Sequence, residues 1–118
     1  MEREAQRNRE YKIARQDKDI QAIYNSKTWK ITVRLIANRD KNLCRLCLSE
    51  KRISYYNTVH HIVELKEDIT KAFIHGNLIS LCESCHQKVH KAYKISKTNK
   101  QQMQEILFKI LKETPRGV

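Results

Sequence analysis

Apolar residues recur at helical spacing in two clear stretches. Trp29, Val33 and Ile36 fall three and four apart behind Ser26, a residue type that caps helix N-termini, and predict a helix ending near Asp40–Asn42. Met103, Ile106, Leu107, Ile110 and Leu111 form a second stripe, expected to pack against the domain or a partner chain, with Pro115 and Gly117 placed to end it. Residues 2–22 are charged, with sparse apolar positions at Tyr11, Ile13 and Ile20, so a helix there would be marginal alone. Between the stripes the pattern changes. Thr58-Val59-His60-His61-Ile62-Val63 is rich in β-branched residues and reads as a strand, and Leu78–Leu81 as a short second one. Glu64–Gly76 reads as a loop closing on a turn at His75-Gly76-Asn77. Glu83 to about Tyr93 reads as a helix, and Lys94–Lys100 as a basic polar linker. Helices around two short strands make an α+β chain.

A length of 118 residues allows one compact domain with a helical arm. We expect a charged arm over 1–25, a central domain over 26–93, and a linker with a C-terminal helix over 94–118. No run of about 18 apolar residues is present, which excludes a membrane-spanning helix. MEREAQRNRE offers no apolar core behind a basic start, so a cytoplasmic location is expected. Two Gly and one Pro argue against a loop-rich or disordered chain.

Charge adds a partner. The formal net charge is +11, from 24 basic and 13 acidic residues. It is uneven: residues 21–60 carry eight basic and two acidic residues and 91–118 carry seven and two, while 61–90 carry three and four. Two basic segments flanking a nearly neutral, His-rich centre suit a polyanion lying across that centre. Lys27, Lys30, Arg34, Arg45, Arg52, Lys88 and Lys91 are candidate phosphate contacts, though each alone would pass as a solvated surface residue.

The four cysteines form two C-x2-C pairs, Cys44/Cys47 and Cys82/Cys85, 34 residues apart. Two such knuckles can place four thiolates tetrahedrally on one structural Zn²⁺. The first is expected in a tight turn after a helix, the second at the entrance to the next. Two disulfides are the competing reading, disfavoured in a reducing cytosol.

The histidines carry the chemistry. His60 and His61 are neighbours on a strand and should point to opposite faces. His86 and His90 are four apart on a helix and share a face. His60, His86 and His90 would give a metal three imidazoles and leave positions open, as catalytic sites require. His61 could then take a proton from water. His75, in a loop without partner spacing, reads as an ordinary surface residue.

Val59–Leu65, then Asn77–Cys82, then Cys85-His86-Gln87-Lys88-Val89-His90 resemble the HNH endonucleases, most closely the small phage-type members with two C-x2-C pairs. The resemblance spans about residues 27–91. It implies a ββα-metal (His-Me finger) core with a four-Cys structural zinc site and flanking helices. It implies His61 as general base, Asn77 as the brace of the loop and base, and His60 and His86 as ligands of one catalytic divalent ion. Mg²⁺, Mn²⁺, Ni²⁺ and Zn²⁺ are the candidates. His90 matches a further ligand of a three-His subgroup. The implied activity is hydrolysis of DNA phosphodiester bonds, nicking or cleaving. The implied setting is phage DNA packaging or processing inside a bacterial host, beside a terminase large subunit. A catalytically silent zinc module that binds nucleic acid is the alternative; it has no use for His61 or Asn77.

Overall fold

The computed structural model describes the backbone of residues 2–113 and the side chains of residues 9–113. Its elements are helix α1 (Glu2–Tyr24), helix α2 (Lys27–Arg39), a short helix α3 (Arg45–Ser49), strand β1 (Thr58–His61), strand β2 (Leu78–Leu81), helix α4 (Glu83–Ile95) and helix α5 (Lys97–Lys112). Ser26 caps α2 as its sequence position predicts, accepting from the Trp29 N–H at 3.1 Å.

β1 and β2 pair antiparallel, from Thr58 opposite Leu81 to His61 opposite Leu78. The strand stops at His61, two residues short of the expected end. Beyond it the Asn77 side chain, rather than a strand, takes the Val63 N–H at 2.8 Å and turns the chain away.

The period-2 alternation of the strands sorts the core into two clusters. Val59 and Leu78 face α2 and pack with Ile36 against Trp29, Val33 and Tyr56. Ile79 and Leu81 face the other way and pack with Val89 and Tyr93 of α4, Leu107 and Ile110 of α5, and the four cysteines. The C-terminal stripe thus packs into this chain's own core through Leu107 and Ile110, with Met103 and Leu111 partly buried beside them, while Ile106 is exposed. Burying Leu107 and Ile110 contributes roughly 1.5–3 kcal/mol each.

Three expectations change. The segment 94–100 is no linker: α4 runs to Ile95, and Ser96 caps α5 by accepting from the Asn99 N–H at 3.0 Å, so only one residue separates the helices. In sequence this stretch is polar and basic like a loop, because the apolar contacts of the two helices lie on either side of it. The first knuckle is a turn of helix, with Cys44 as the N-cap of α3. Arg45 does not face DNA. Its side chain is 5% exposed and binds Asp40 at 2.7 Å and the carbonyls of Ile110 and Glu113 at 3.0 and 2.9 Å. Asp40 is fully buried, is also held by Arg39, and accepts from the Ser80 N–H at 3.2 Å. Burial works against its carboxylate, but the bonds from Arg39 and Arg45 outweigh that and hold its pKa below the usual range. This network ties α2, α3, β2 and α5 together. Pro115 and Gly117, expected to end the last helix, lie outside the described residues; α5 itself ends at Lys112.

Candidate metal centres and active site

Helix α4 and its N-cap carry two members of each of two separate donor clusters. Cys82 caps its N-terminus, and Cys85 and His86 follow as neighbours roughly 100° apart around the axis, so they face different ways. His90, one turn on, joins His86.

The first cluster joins Cys82 and Cys85 to Cys44 and Cys47 of the α3 knuckle. All four are buried, with sulfurs within 4.8 Å of one another. Cys47 Sγ lies 3.8 Å from Cys82 Sγ and 3.6 Å from Cys85 Sγ. Those distances are too long for disulfides. They match the edge of a tetrahedron with a Zn–S bond of about 2.3 Å, which is about 3.8 Å. Burial raises the Cys47 and Cys85 thiols. Burial also opposes the Cys82 thiolate, but bonds from the Cys85 N–H and the neighbouring thiols outweigh it and bring Cys82 down to about 7. A thiolate-ready group among four clustered sulfurs fits a soft divalent ion.

The second cluster joins His86 and His90 to His60, which the alternation of β1 points at α4. Their donor nitrogens lie within 4.8 Å of one another. Burial, then the nearby His86, His90 and His61, push His60 from 6.5 down to about 3. Burial and His90 likewise lower His86, against the pull of Glu83. His60 is therefore a neutral imidazole at pH 7, the form that binds metal. Its Nε2 lies 3.3 Å from Tyr93 Oη, whose own O–H donates to the Ile62 carbonyl at 2.7 Å. The Tyr93 proton is committed, so Nε2–H donates to Oη and Nδ1 keeps its lone pair. Gln104 of α5 donates to the same carbonyl at 3.0 Å. Three clustered imidazoles fit one divalent ion with coordination positions to spare.

His61 lies on the opposite face of β1, against α2. Its Nε2 is 3.0 Å from the Ala72 carbonyl. A carbonyl can only accept, so Nε2 carries the hydrogen and Nδ1 is the basic nitrogen. Burial lowers its pKa, opposed by that bond. Trp29 stacks on the ring at 4.8 Å between centroids and 18° between planes, and Tyr24 meets both rings edge-on.

Asn77, 2% exposed, straps the 64–76 loop. Besides accepting from Val63 N–H, its amide donates to the Val63 carbonyl at 3.1 Å and lies 3.4 Å from that of Lys71. It thereby fixes the segment that presents the Ala72 carbonyl to His61.

A cavity of about 650 Å³ lies before the histidines, with His60, His61, His86 and His90 in one wall, Tyr24 and Trp29 in another, and Lys66 also lining it. Strand alternation aims the two adjacent histidines at different partners, yet both open into this one space. Lys27, Lys30, Arg34, Arg52, Lys88 and Lys91 are exposed, as phosphate contacts must be. Trp29, Tyr24, Lys66 and Tyr93 were missed as site residues. Trp29 counts in the sequence only as one apolar position of a helical stripe, and nothing in its spacing marks a contact 32 residues away along the chain.

The arrangement is that of a ββα-metal nuclease fold: a two-stranded antiparallel pair and a helix that bring three imidazoles together, with a fourth imidazole on the other face of β1. A profile described as HNH endonuclease matches residues 44–92. A probable HNH endonuclease of Lactococcus phage SK1 is 37% identical over 78 residues, covering 63% of this chain and 81% of that protein. The crystal structure of the HNH endonuclease of deep-sea thermophilic bacteriophage GVE2, with manganese ion, superposes with a TM-score of 0.68 at 34% identity, covering 70% of this chain and 89% of the other. The chain belongs to the HNH endonuclease family and is a metal-dependent DNA endonuclease.

Proposed function

We propose that His61 is the general base of phosphodiester hydrolysis, that His60, His86 and His90 hold the single catalytic ion, and that Cys44, Cys47, Cys82 and Cys85 hold a structural zinc. The observation that carries this reading is the division of labour across β1: adjacent histidines leave its two faces, one toward two further imidazoles and one with Nε2 tied to a carbonyl. His61 Nδ1 takes the proton of the attacking water. The Ala72 carbonyl holds the ring while it does so, and Asn77 holds the loop that carries Ala72. When bound, the ion would bind the scissile phosphate and neutralise charge developing there and on the leaving 3′ oxygen. Lys66 and the exposed Lys27, Lys30, Arg34, Arg52, Lys88 and Lys91 draw the backbone in with little sequence preference. Manganese is the first ion to test, because the GVE2 enzyme was crystallised with it and three imidazoles suit a transition ion better than Mg²⁺. We take residues 26–93 as the nuclease unit, with a charged arm before it over 1–25 and a C-terminal segment after it over 94–118.

The phage origin of both relatives supports a setting in an infected or lysogenic bacterial cytoplasm, in DNA packaging beside a terminase large subunit. Supercoiled plasmid is the direct test. Wild type with Mn²⁺ is expected to nick it, and His61→Ala to lose about 10²–10⁴-fold in rate while binding DNA as before. Nicking by His61→Ala at the wild-type rate rejects the base. Salt-sensitive binding without nicking, with any divalent ion and with the packaging subunit added, leaves the silent zinc module as the better description.

A further inference from the structure

We propose that Trp29 is a positioning residue for His61, holding the imidazole plane so that Nδ1 faces the cavity. The inference rests on the reading of His61 as general base. His61 has two side-chain torsions to fix. The Ala72 carbonyl fixes the direction of one ring nitrogen, at 3.0 Å, but a single hydrogen bond at the ring edge leaves the plane free to swing about it. The near-parallel indole face of Trp29, 4.8 Å away at 18°, closes that freedom. Tyr24 lies edge-on to both, 5.5 Å from Trp29 and 5.9 Å from His61, so the stack is bracketed at the junction of α1 and α2. The indole is itself anchored: the Trp29 backbone N–H donates to the Ser26 cap, and the side chain packs on the Ile36–Val59–Leu78 cluster.

Both aromatic residues lie outside residues 44–92, where the family profile matches. The strand–loop–helix unit supplies the base and its carbonyl, and the N-terminal helices supply the flat surface that completes its orientation. A reacting nitrogen misplaced by about 1 Å costs on the order of 10²-fold in rate, so a residue that never touches the reacting atoms can control turnover.

Trp29 is the only tryptophan in the chain, which makes the contact directly visible. In zinc-loaded protein without added Mn²⁺, His61→Ala should change its emission intensity and wavelength, by removing the stacked imidazole and admitting water to the indole face. Identical spectra would show that the stack does not form in solution. Kinetics with Mn²⁺ and plasmid then separate the roles. Trp29→Leu keeps an apolar side chain but no flat face, and should lower kcat about 10–100-fold with KM little changed. Trp29→Phe restores a flat face and should recover most of that loss. Equal activity of the Leu and Phe variants, or a rise in KM alone, overturns the proposal. Should His61→Ala itself retain wild-type kcat, it is the base assignment that fails, a result distinct from a harmless Trp29→Leu beside an inactive His61→Ala. Thermal melts of both Trp29 variants establish that the compared proteins are folded.

Discussion

The four-cysteine and three-histidine clusters share helix α4 and differ in almost everything else. Four buried thiols from two knuckles enclose one point completely. Three imidazoles, two of them half-exposed, surround another on one side and leave the rest to the cavity. The cysteine cluster sits in the middle of the larger hydrophobic core, whereas the histidine cluster sits where that core ends. A closed centre can hold a fold together but offers substrate nothing; an open one has room for a phosphate but joins fewer elements. Splitting the two tasks along a single helix lets rigidity at the N-terminal end of α4 set the geometry one turn further on.

The hardest way to break this comparison is to open the closed centre. Cys47→Ser should remove about one zinc per chain and, because apparent zinc affinities of such sites are about 10–16 kcal/mol, leave the protein largely unfolded or molten at ambient temperature. Metal content by atomic emission and near-ultraviolet circular dichroism measure both. A folded Cys47→Ser protein with its full zinc content would contradict the four-thiolate site.

A second comparison, between buried and exposed cations, separates what was legible from what was not. Lys88 and Arg45 looked alike as candidates, both basic and both beside a motif residue. One is exposed on α4; the other is locked between Asp40 and the C-terminal end of α5. Arg45→Met leaves the fully buried Asp40 with only Arg39 for a charged partner. Loss of one partner of a buried pair costs about 3–5 kcal/mol, to be read from urea unfolding. Lys88→Gln should barely alter stability and should reduce the slope of log Kd against log salt by about one contact. A stable Arg45→Met with an altered salt slope would return Arg45 to the DNA surface.

The same distinction explains the sequence reading at large. Spacing alone pairs His86 with His90 on one helix face and sends His60 and His61 to opposite faces of a strand, because strand and helix periods are geometric; that His60 is the one to join the pair came from the family resemblance. The paired C-x2-C knuckles carry their meaning in the same way. Long-range partners have no period. Nothing near Trp29 announces His61, nothing near Tyr93 announces His60, and the Asp40–Arg45 pair needs the packing of α5 to become buried. The missing linker has a similar origin: residues 94–98 are exposed and, Ile95 apart, polar, and polarity alone does not distinguish an exposed helical turn from a loop.

The smallest expected effect tests the protonation state that makes the open centre ready for metal. Burial and three neighbouring imidazoles hold His60 at about 3 in the folded chain, against 6.5 for an unperturbed histidine. As pH falls below 6.5 the unfolded chain takes up this proton first, so folding stability is greatest above about 6.5 and is lost progressively toward about 3. Between pH 6.5 and 5 that interval amounts to about 2 kcal/mol, and the lowered His61 and His86 act in the same direction. Urea midpoints of zinc-loaded protein without added Mn²⁺ should therefore drop across this window. His60→Gln should flatten the dependence, and Mn²⁺, which binds only the neutral imidazoles, should oppose it in the wild type. A midpoint indifferent to pH from 6.5 to 5 would mean that His60 is reached by water and already protonates in the folded state. All three imidazoles would then be open to water while the four thiols stay buried, and the ion site would need no desolvated ligand to hold it.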